Sequence, residues 1–74
     1  MRFFRMVLPI LVLSLYLGIH NGKLALFREG NTVPLQVYPS AVDTYPKKDQ
    51  LALRAGIPIT SRKQLTELLE AYLS

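Results

Sequence analysis

The side chains that could carry out chemistry are few in this sequence, and their spacing favours no catalytic site. His20 is the single histidine and the chain contains no cysteine, so neither a transition-metal site nor a thiolate nucleophile is expected. Glu67 and Glu70 stand three residues apart and would be neighbours on a helix surface. Because that spacing is common on solvated helix faces, we expect no enzyme activity, no cofactor and no metal ion.

Two pairs of cations stand at the starts of predicted helices. Lys47 and Lys48 begin one helix, and Arg62 and Lys63 begin another, where the helix dipole slightly disfavours positive charge. Together they could form one basic surface for an acidic protein partner or lipid headgroups, and exposed solubilising charge is the alternative. The net charge of +4 is too small and too dispersed for a nucleic-acid surface, and we expect no small-molecule substrate.

Residues 1–15 have the layout of a membrane anchor. The basic start "MRFFR" precedes the uncharged "MVLPILVLSLYLGI", which is the order of an n-region and an h-region. We expect an uncleaved signal anchor with a cytoplasmic N-terminus, because the basic residues favour that side, and with residues 16–74 outside the cytoplasm. A cleaved signal peptide, which would need small residues in an A-x-A frame, is one alternative. A buried helix of a soluble protein is the other.

The dipeptide Asn21-Gly22 predicts a β-hairpin immediately after the anchor. Both residues tolerate positive φ, as a two-residue type I′ turn requires. Counting back from a turn flanked by His20 and Lys23 predicts the cross-strand pairs Ile19–Leu24, Gly18–Ala25, Leu17–Leu26 and Tyr16–Phe27.

A second turn is predicted at Gly30-Asn31, followed by a third strand over Val33–Val37. A two-residue turn there would place Leu26 opposite Leu35 and Leu24 opposite Val37. The two registers together put six apolar residues on one face of an antiparallel meander: Leu17, Ile19, Leu24, Leu26, Leu35 and Val37. Pro34 has no N–H to donate, so this strand should lie at an edge.

Two helices should cover that face. For the first we expect Asp43 or Thr44 as the cap, Pro46 in the first turn and Gly56 at the end. Its apolar residues are Leu51, Ala52 and Ala55, with Leu53 on another side. The tripeptide "IPI" after it should be extended, since Pro58 disfavours helix at the residue before it.

The last helix carries the clearest local signal. Ser61 followed by Gln64 forms a capping box, and an apolar stripe recurs at helical spacing through Leu65, Leu68, Leu69, Tyr72 and Leu73. The predicted fold class is therefore α+β: an N-terminal membrane helix over residues 1–15, then a three-stranded antiparallel meander packed on one face by two helices over residues 16–74.

The order of these elements resembles a known family. The segments "YLGIHNGKLALFREG" and "YPKKDQLALRAGIPITSRKQLTELLEAYLS" are similar to the C-terminal domain of the bypass-of-forespore C family of spore-forming Firmicutes, over about residues 16–74. The shared features are the hairpin and its strand, a Pro-led helix, a Gly-Ile step and a Ser-capped Leu-Leu-Glu helix. The resemblance implies an extracytoplasmic regulatory role. The family's named member restrains a signalling serine protease between the forespore membranes. The family implies no catalytic residues.

We therefore expect a membrane-anchored, extracytoplasmic protein-interaction or regulatory module connected with sporulation. Its partner should bind an open strand edge, Val33–Val37 or Tyr16–Ile19, because unpaired edges can accept a partner's strand. The candidate contacts are Val33, Leu35 and Val37, together with Lys47, Lys48, Arg62 and Lys63. The alternatives are a secreted soluble module and a small regulator acting through its membrane helix.

Overall fold

The computed structural model describes residues 14–74 of the chain. Four strands form one antiparallel sheet in the order β3-β2-β1-β4, and two helices accompany it. The predicted α+β class is confirmed, although the sheet has one strand more than expected. The elements are β1 (Leu15–His20), β2 (Lys23–Arg28), β3 (Gln36–Ala41), a 3-10 turn (Val42–Thr44), α1 (Lys47–Ala55), β4 (Ile57–Ile59) and α2 (Arg62–Leu73).

The predicted anchor over residues 1–15 lies outside the described residues, except for its last two. Leu15 is already the first residue of β1. Between Ser14 and Ser74, neither helix has the length and apolar character needed to span a bilayer.

The β1–β2 hairpin has the predicted register. Leu17 pairs with Leu26, Ile19 with Leu24, and the ladder continues from the turn to Leu15. Asn21 and Gly22 have φ angles of 52° and 80°, as expected for a type I′ turn. The Asn-Gly pair therefore fixes which side chains of both strands face the core.

The register predicted for the third strand is wrong by one residue. Leu26 pairs with Gln36, not Leu35, and Ala25 pairs with Val37. The connection is longer than predicted, because the Asn31 N–H donates to the Arg28 carbonyl (3.0 Å) and β3 begins only at Gln36. Side chains alternate along a strand, so a shift of one residue exchanges the two faces.

This shift removes two residues from the predicted apolar face. Val37 shares the face of Ala25, and Leu35 precedes the strand; their side chains are 41% and 54% exposed. Tyr38 packs against the core instead. The connection and the first half of β3 therefore leave apolar side chains in solvent.

The tripeptide "IPI" is extended, as predicted, and it also forms the fourth strand, β4. Ile59 pairs with Leu15 and Ile57 with Leu17, so β4 covers the first half of the β1 edge. The prediction of an open edge over Tyr16–Ile19 is wrong for this half. The edge strands of the described sheet are β3 and β4, and each contains a proline, which is common in edge strands.

The core lies between the sheet and the two helices. Its buried residues are Leu17, Leu24, Val42, Leu53 and Ile59. The stripe of α2 packs against this cluster through Leu65, Leu68, Leu69 and Tyr72, whereas Leu73 is 41% exposed. Ser61 caps α2 as predicted, since its hydroxyl accepts a hydrogen bond from the Gln64 N–H at 3.1 Å.

The orientation predicted for α1 is wrong. Leu53 is 1% exposed and belongs to the core, while Leu51 is 58% exposed. Two half-buried polar residues, Asp49 and Gln50, lie on the inward side with Leu53. The Gln50 amide donates to the Tyr45 carbonyl at 2.8 Å, which allows a polar side chain to replace an apolar one there.

The start of α1 also differs from the prediction. Asp43 and Thr44 lie in the 3-10 turn, and the N-cap residue is Pro46, which provides no side-chain hydrogen bond. The helix ends as predicted at Gly56, whose φ of 94° is readily adopted by glycine. A Cβ at Gly56 would lie 3.2 Å from the ring of Tyr16, so the site also needs a small residue.

Candidate interaction surfaces

The described chain begins at one end of the sheet, which we call the entry end. It comprises residues 14–15, 28–35 and 59–63. The Glu29 N–H donates to the Ser14 carbonyl at 2.8 Å, so the β1–β2 ladder reaches the first described residue. Leu15 pairs with both Arg28 and Ile59. The entry end therefore holds the connection after β2 and the start of α2.

The opposite end, which we call the far end, comprises residues 21–22, 41–48 and 72–74. The Val42 N–H donates to the Gly22 carbonyl at 2.9 Å, which attaches the 3-10 turn to the hairpin. The hydroxyl of Tyr72 donates to Asp49 at 3.2 Å. The start of α1 and the end of α2 therefore meet at the far end.

The structure separates the predicted contact residues into two groups. Val33 and Leu35 lie at the entry end, 71% and 54% exposed, and Arg62 and Lys63 lie at the same end, after β4. Lys47 and Lys48 lie at the far end and are exposed. Residues 62 and 72 are about 15 Å apart along α2 at 1.5 Å per residue. The two cationic pairs consequently do not form one basic surface.

Val37 lies on the edge strand β3. In residues 14–74 no strand pairs with the outer side of β3, and Val37 is 41% exposed. Pro39 supplies no N–H, so a strand added to this edge would lack a donor there. The stretch that best fits an added strand is therefore the beginning of β3, which leads along the sheet toward Lys47 and Lys48.

A second apolar patch, which the sequence reasoning missed, lies on α1. Leu51 is 58% exposed, and Ala52 and Ala55 beside it on the helix are also exposed. The helical spacing of these apolar residues predicts that they face the core. Asp49 and Gln50 face inward because of their hydrogen bonds. No periodic pattern in the sequence indicates that polar residues take this side of α1.

Interactions of two tyrosines link the secondary-structure elements that meet at the far end. The rings of Tyr45 and Tyr72 stack at 5.0 Å between centroids. The Tyr45 hydroxyl donates to the Tyr72 carbonyl at 3.2 Å and lies 2.6 Å from the Ser40 hydroxyl. Burial raises the pKa of Tyr72, and the carboxylate of Asp49 raises it further. The ring stack and these hydrogen bonds fasten α2 to β3 and α1.

A shallow cavity of about 460 Å³ lies between the sheet and the C-terminal end of α1, where Leu53, Arg54 and Gly56 contribute to its lining. Its base is the stacked pair of Tyr16 and Phe27, whose centroids are 5.1 Å apart. A Cβ on Gly18 would lie 3.2 Å from the ring of Phe27, so this glycine lets the ring lie close to the strand. Tyr16 is half-buried here.

The polar residues of the described region are not arranged for metal binding. Across residues 14–74, no three or more His, Cys, Asp or Glu side chains come together in a way that could hold a metal ion. His20 lies beside the hairpin turn with its ring edge toward Phe27, at 6.4 Å between centroids. The surfaces that remain as candidates are the entry end, the β3 edge and the far end.

Comparison with protein families gives a match to the BofC C-terminal domain over residues 7–74. The match includes every described element and begins within the predicted anchor, nine residues before the predicted domain boundary. No curated protein and no solved structure matches the chain. The matched region covers well over half of the sequence, and the hairpin, the Pro-led helix and the Ser-capped helix that suggested this family are all present. The chain belongs to the BofC C-terminal domain family.

Proposed function

We propose that this chain is a membrane-anchored, extracytoplasmic module that regulates a protein partner by binding it, without catalysing a reaction. Membership of the family suggests a regulatory role related to sporulation. The observation that supports binding most directly is the outer edge of β3, where an apolar side chain, Val37, is 41% exposed beside an unpaired strand in the described sheet.

The proposed partner segment is an extended strand followed by acidic residues. Strand addition would supply main-chain hydrogen bonds over the start of β3, and Val37 would give an apolar contact. From there the edge leads through the 3-10 turn to Lys47 and Lys48, which are exposed. Charges at the rim of an interface mainly steer association and choose the partner. The two lysines would therefore favour an acidic continuation of the bound strand.

Site-specific photocrosslinking from membranes would test this proposal. A photoreactive amino acid in place of Val37 should trap a partner in cells collected across growth and sporulation. The same residue in place of Thr66, which is exposed on α2, is the matched control and should give no such product. Equal products from both positions, or a product from position 66 alone, would refute binding at the β3 edge.

Charge reversal would test the lysines separately. Lys47→Glu with Lys48→Glu should reduce the crosslink from position 37, because the far-end charge would then repel an acidic segment. Glu67→Lys with Glu70→Lys, which alters two exposed residues of α2, should leave it unchanged. An unchanged crosslink in the first double variant would remove the lysines from the interface while leaving the strand contact in place.

The proposed anchoring and topology need their own measurement. Carbonate extraction should leave the full chain in the membrane fraction, and protease added to intact protoplasts should digest residues 16–74. A chain released by carbonate, or one protected from the protease, would refute the anchored extracytoplasmic placement. Replacing residues 1–13 by an unrelated anchor, which keeps Ser14 and Leu15 of the folded domain, should preserve partner binding. Loss of binding would indicate that the membrane segment itself recognises the partner.

A further inference from the structure

The entry end combines exposed apolar side chains with cations. Val33 is 71% exposed, the highest value among the large apolar residues of the described region, and Leu35 is 54% exposed. Arg28, Arg62 and Lys63 are exposed at the same end. Both side chains belong to the connection before β3, where the register of that strand leaves them in solvent and available for contact.

The position of this surface relative to the chain restricts what can cover it. The Glu29–Ser14 hydrogen bond of 2.8 Å extends the hairpin ladder to Ser14, which is one of the last two residues of the predicted anchor. A strand paired this close to the anchor leaves almost no linker. If residues 1–13 enter a bilayer, the entry end must lie at the surface of that bilayer.

The exposed side chains of the entry end are better suited to contact with an anionic lipid surface than to full exposure to water. Apolar side chains such as Val33 and Leu35 bury well at the boundary between headgroups and acyl chains. Arginine and lysine near an anionic leaflet are attracted to it over about a Debye length. Glu29 is the one carboxylate among the entry-end residues, against three cations, so the balance of charge is also complementary.

We propose that the entry end is a lipid-contacting surface that docks on anionic phospholipid, with Val33 and Leu35 inserted and Arg28, Arg62 and Lys63 at the headgroups. This inference rests on the proposed anchoring of residues 1–15. Docking would hold the strands of the hairpin upright, with the far end about 17 Å from the bilayer at 3.3 Å per residue along β1. The β3 edge and the lysines of the far end would then face away from the membrane.

The absence of cysteine from the chain allows a clean test by single-cysteine labelling. The full chain carrying Val33→Cys is labelled with an environment-sensitive fluorophore and reconstituted into vesicles of equal parts phosphatidylglycerol and phosphatidylcholine. Leu51→Cys is the matched control, because Leu51 is similarly exposed, at 58%, but lies away from the entry end. The label at position 33 should shift to shorter emission wavelength and be quenched by brominated acyl chains, whereas the label at position 51 should show neither effect.

Flotation of the same vesicles separates the two proposals. If the protein does not float with lipid, the anchoring fails and the docking proposal fails with it. If it floats but the labels at positions 33 and 51 behave alike, anchoring stands and docking is refuted. A blue shift at position 33 without quenching by brominated lipid would indicate contact with a second copy of the chain and would also refute lipid docking.

The contribution of the cations is tested in the same system. In vesicles of phosphatidylcholine alone, quenching at position 33 should be weaker than in the anionic vesicles. Arg62→Gln with Lys63→Gln should reduce quenching in the anionic vesicles to the level seen in neutral ones. Equal quenching in all three conditions would refute the electrostatic part and leave apolar insertion as the sole cause of docking.

Discussion

Replacing Leu53 by alanine should unfold a large fraction of the domain, whereas the same replacement at Leu51 should have little effect. Leu53 is 1% exposed and packs in one cluster with Leu17, Leu24 and Ile59. Leu51, two residues earlier on the same helix, is 58% exposed. The pair tests the observed orientation of α1 directly, because the apolar spacing of the sequence predicts the reverse.

The expected size of the effect follows from the burial. A buried leucine replaced by alanine costs about 2–5 kcal/mol, which includes the cavity that remains. The core of so small a domain supplies only about 3–5 kcal/mol of stability. The Leu53→Ala variant should therefore be partly or largely unfolded without denaturant. At Leu51 the change should stay within about 0.5 kcal/mol, because the side chain is mostly in water and alanine is a good helix former.

Urea unfolding of the full chain in non-ionic detergent, followed by far-UV circular dichroism, would measure both variants. For a domain of this size the free energy falls by about 1 kcal/mol per molar urea, so Leu53→Ala should lower the midpoint by about 2 M or abolish the folded baseline. The Leu51→Ala midpoint should stay within about 0.5 M of the parent. Equal midpoints for the two variants, or a greater loss at Leu51, would refute the orientation of α1.

Further substitutions test other parts of the fold. Gly56→Ala should cost about 1–3 kcal/mol in urea unfolding, since residue 56 has a φ of 94° and a Cβ would lie 3.2 Å from Tyr16; an unchanged midpoint would contradict this. Ser61→Ala should cost about 1 kcal/mol and Ser61→Asp much less, because only the alanine removes the acceptor for the Gln64 N–H. Burial and then Asp49 raise the pKa of Tyr72, so the native state keeps this proton above pH 10.0, where the unfolded chain loses it. The free energy of unfolding should fall as the pH rises through that range, and the fall should be shallower in Tyr72→Phe; parallel profiles would contradict the assignment.

The sheet shows which local signals determine register. The hairpin could be predicted because Asn21 and Gly22 permit only a tight turn, and a two-residue turn fixes every pair of the ladder. The Gly30-Asn31 pair permits several loop lengths, since only Gly30 has positive φ, at 89°. The hydrogen bond from Asn31 to Arg28 forms a turn one residue earlier than predicted. Residues 32–35 then lengthen the connection, so β3 begins at Gln36 and its register shifts by one residue.

The fourth strand and the orientation of α1 depend on tertiary contacts that a local pattern does not contain. A three-residue extended segment acquires its role only when its partner, the first half of β1, is available. In α1 the inward side includes Asp49, which accepts a hydrogen bond from Tyr72 of α2, and Gln50, which donates to the Tyr45 carbonyl just before the helix. In a helix of nine residues, such contacts outweigh a weak apolar periodicity.

The sequence predicted which residues belong to the candidate surfaces, but not where the fold places them. Val33, Leu35 and Val37 are exposed, with side chains 71%, 54% and 41% in solvent, yet two of them were assigned to the core face and all three to one strand. Exposure at Leu35 and Val37 is a consequence of the shifted register. The same change that removed them from the core made them available to a partner or to lipid.

The separation of the cationic pairs follows from the direction of the chain. Tyr72 meets Asp49 near the start of α1, and β4 ends beside Leu15, so α1 and β4 run toward the entry end and α2 returns from it. Two helices joined in this way necessarily begin at opposite ends of the domain. Basic residues at two helix starts, which suggest one surface in the sequence, become two surfaces in the fold. Under the two proposals, the surfaces have different roles: Arg62 and Lys63 face the lipid, and Lys47 and Lys48 face the partner.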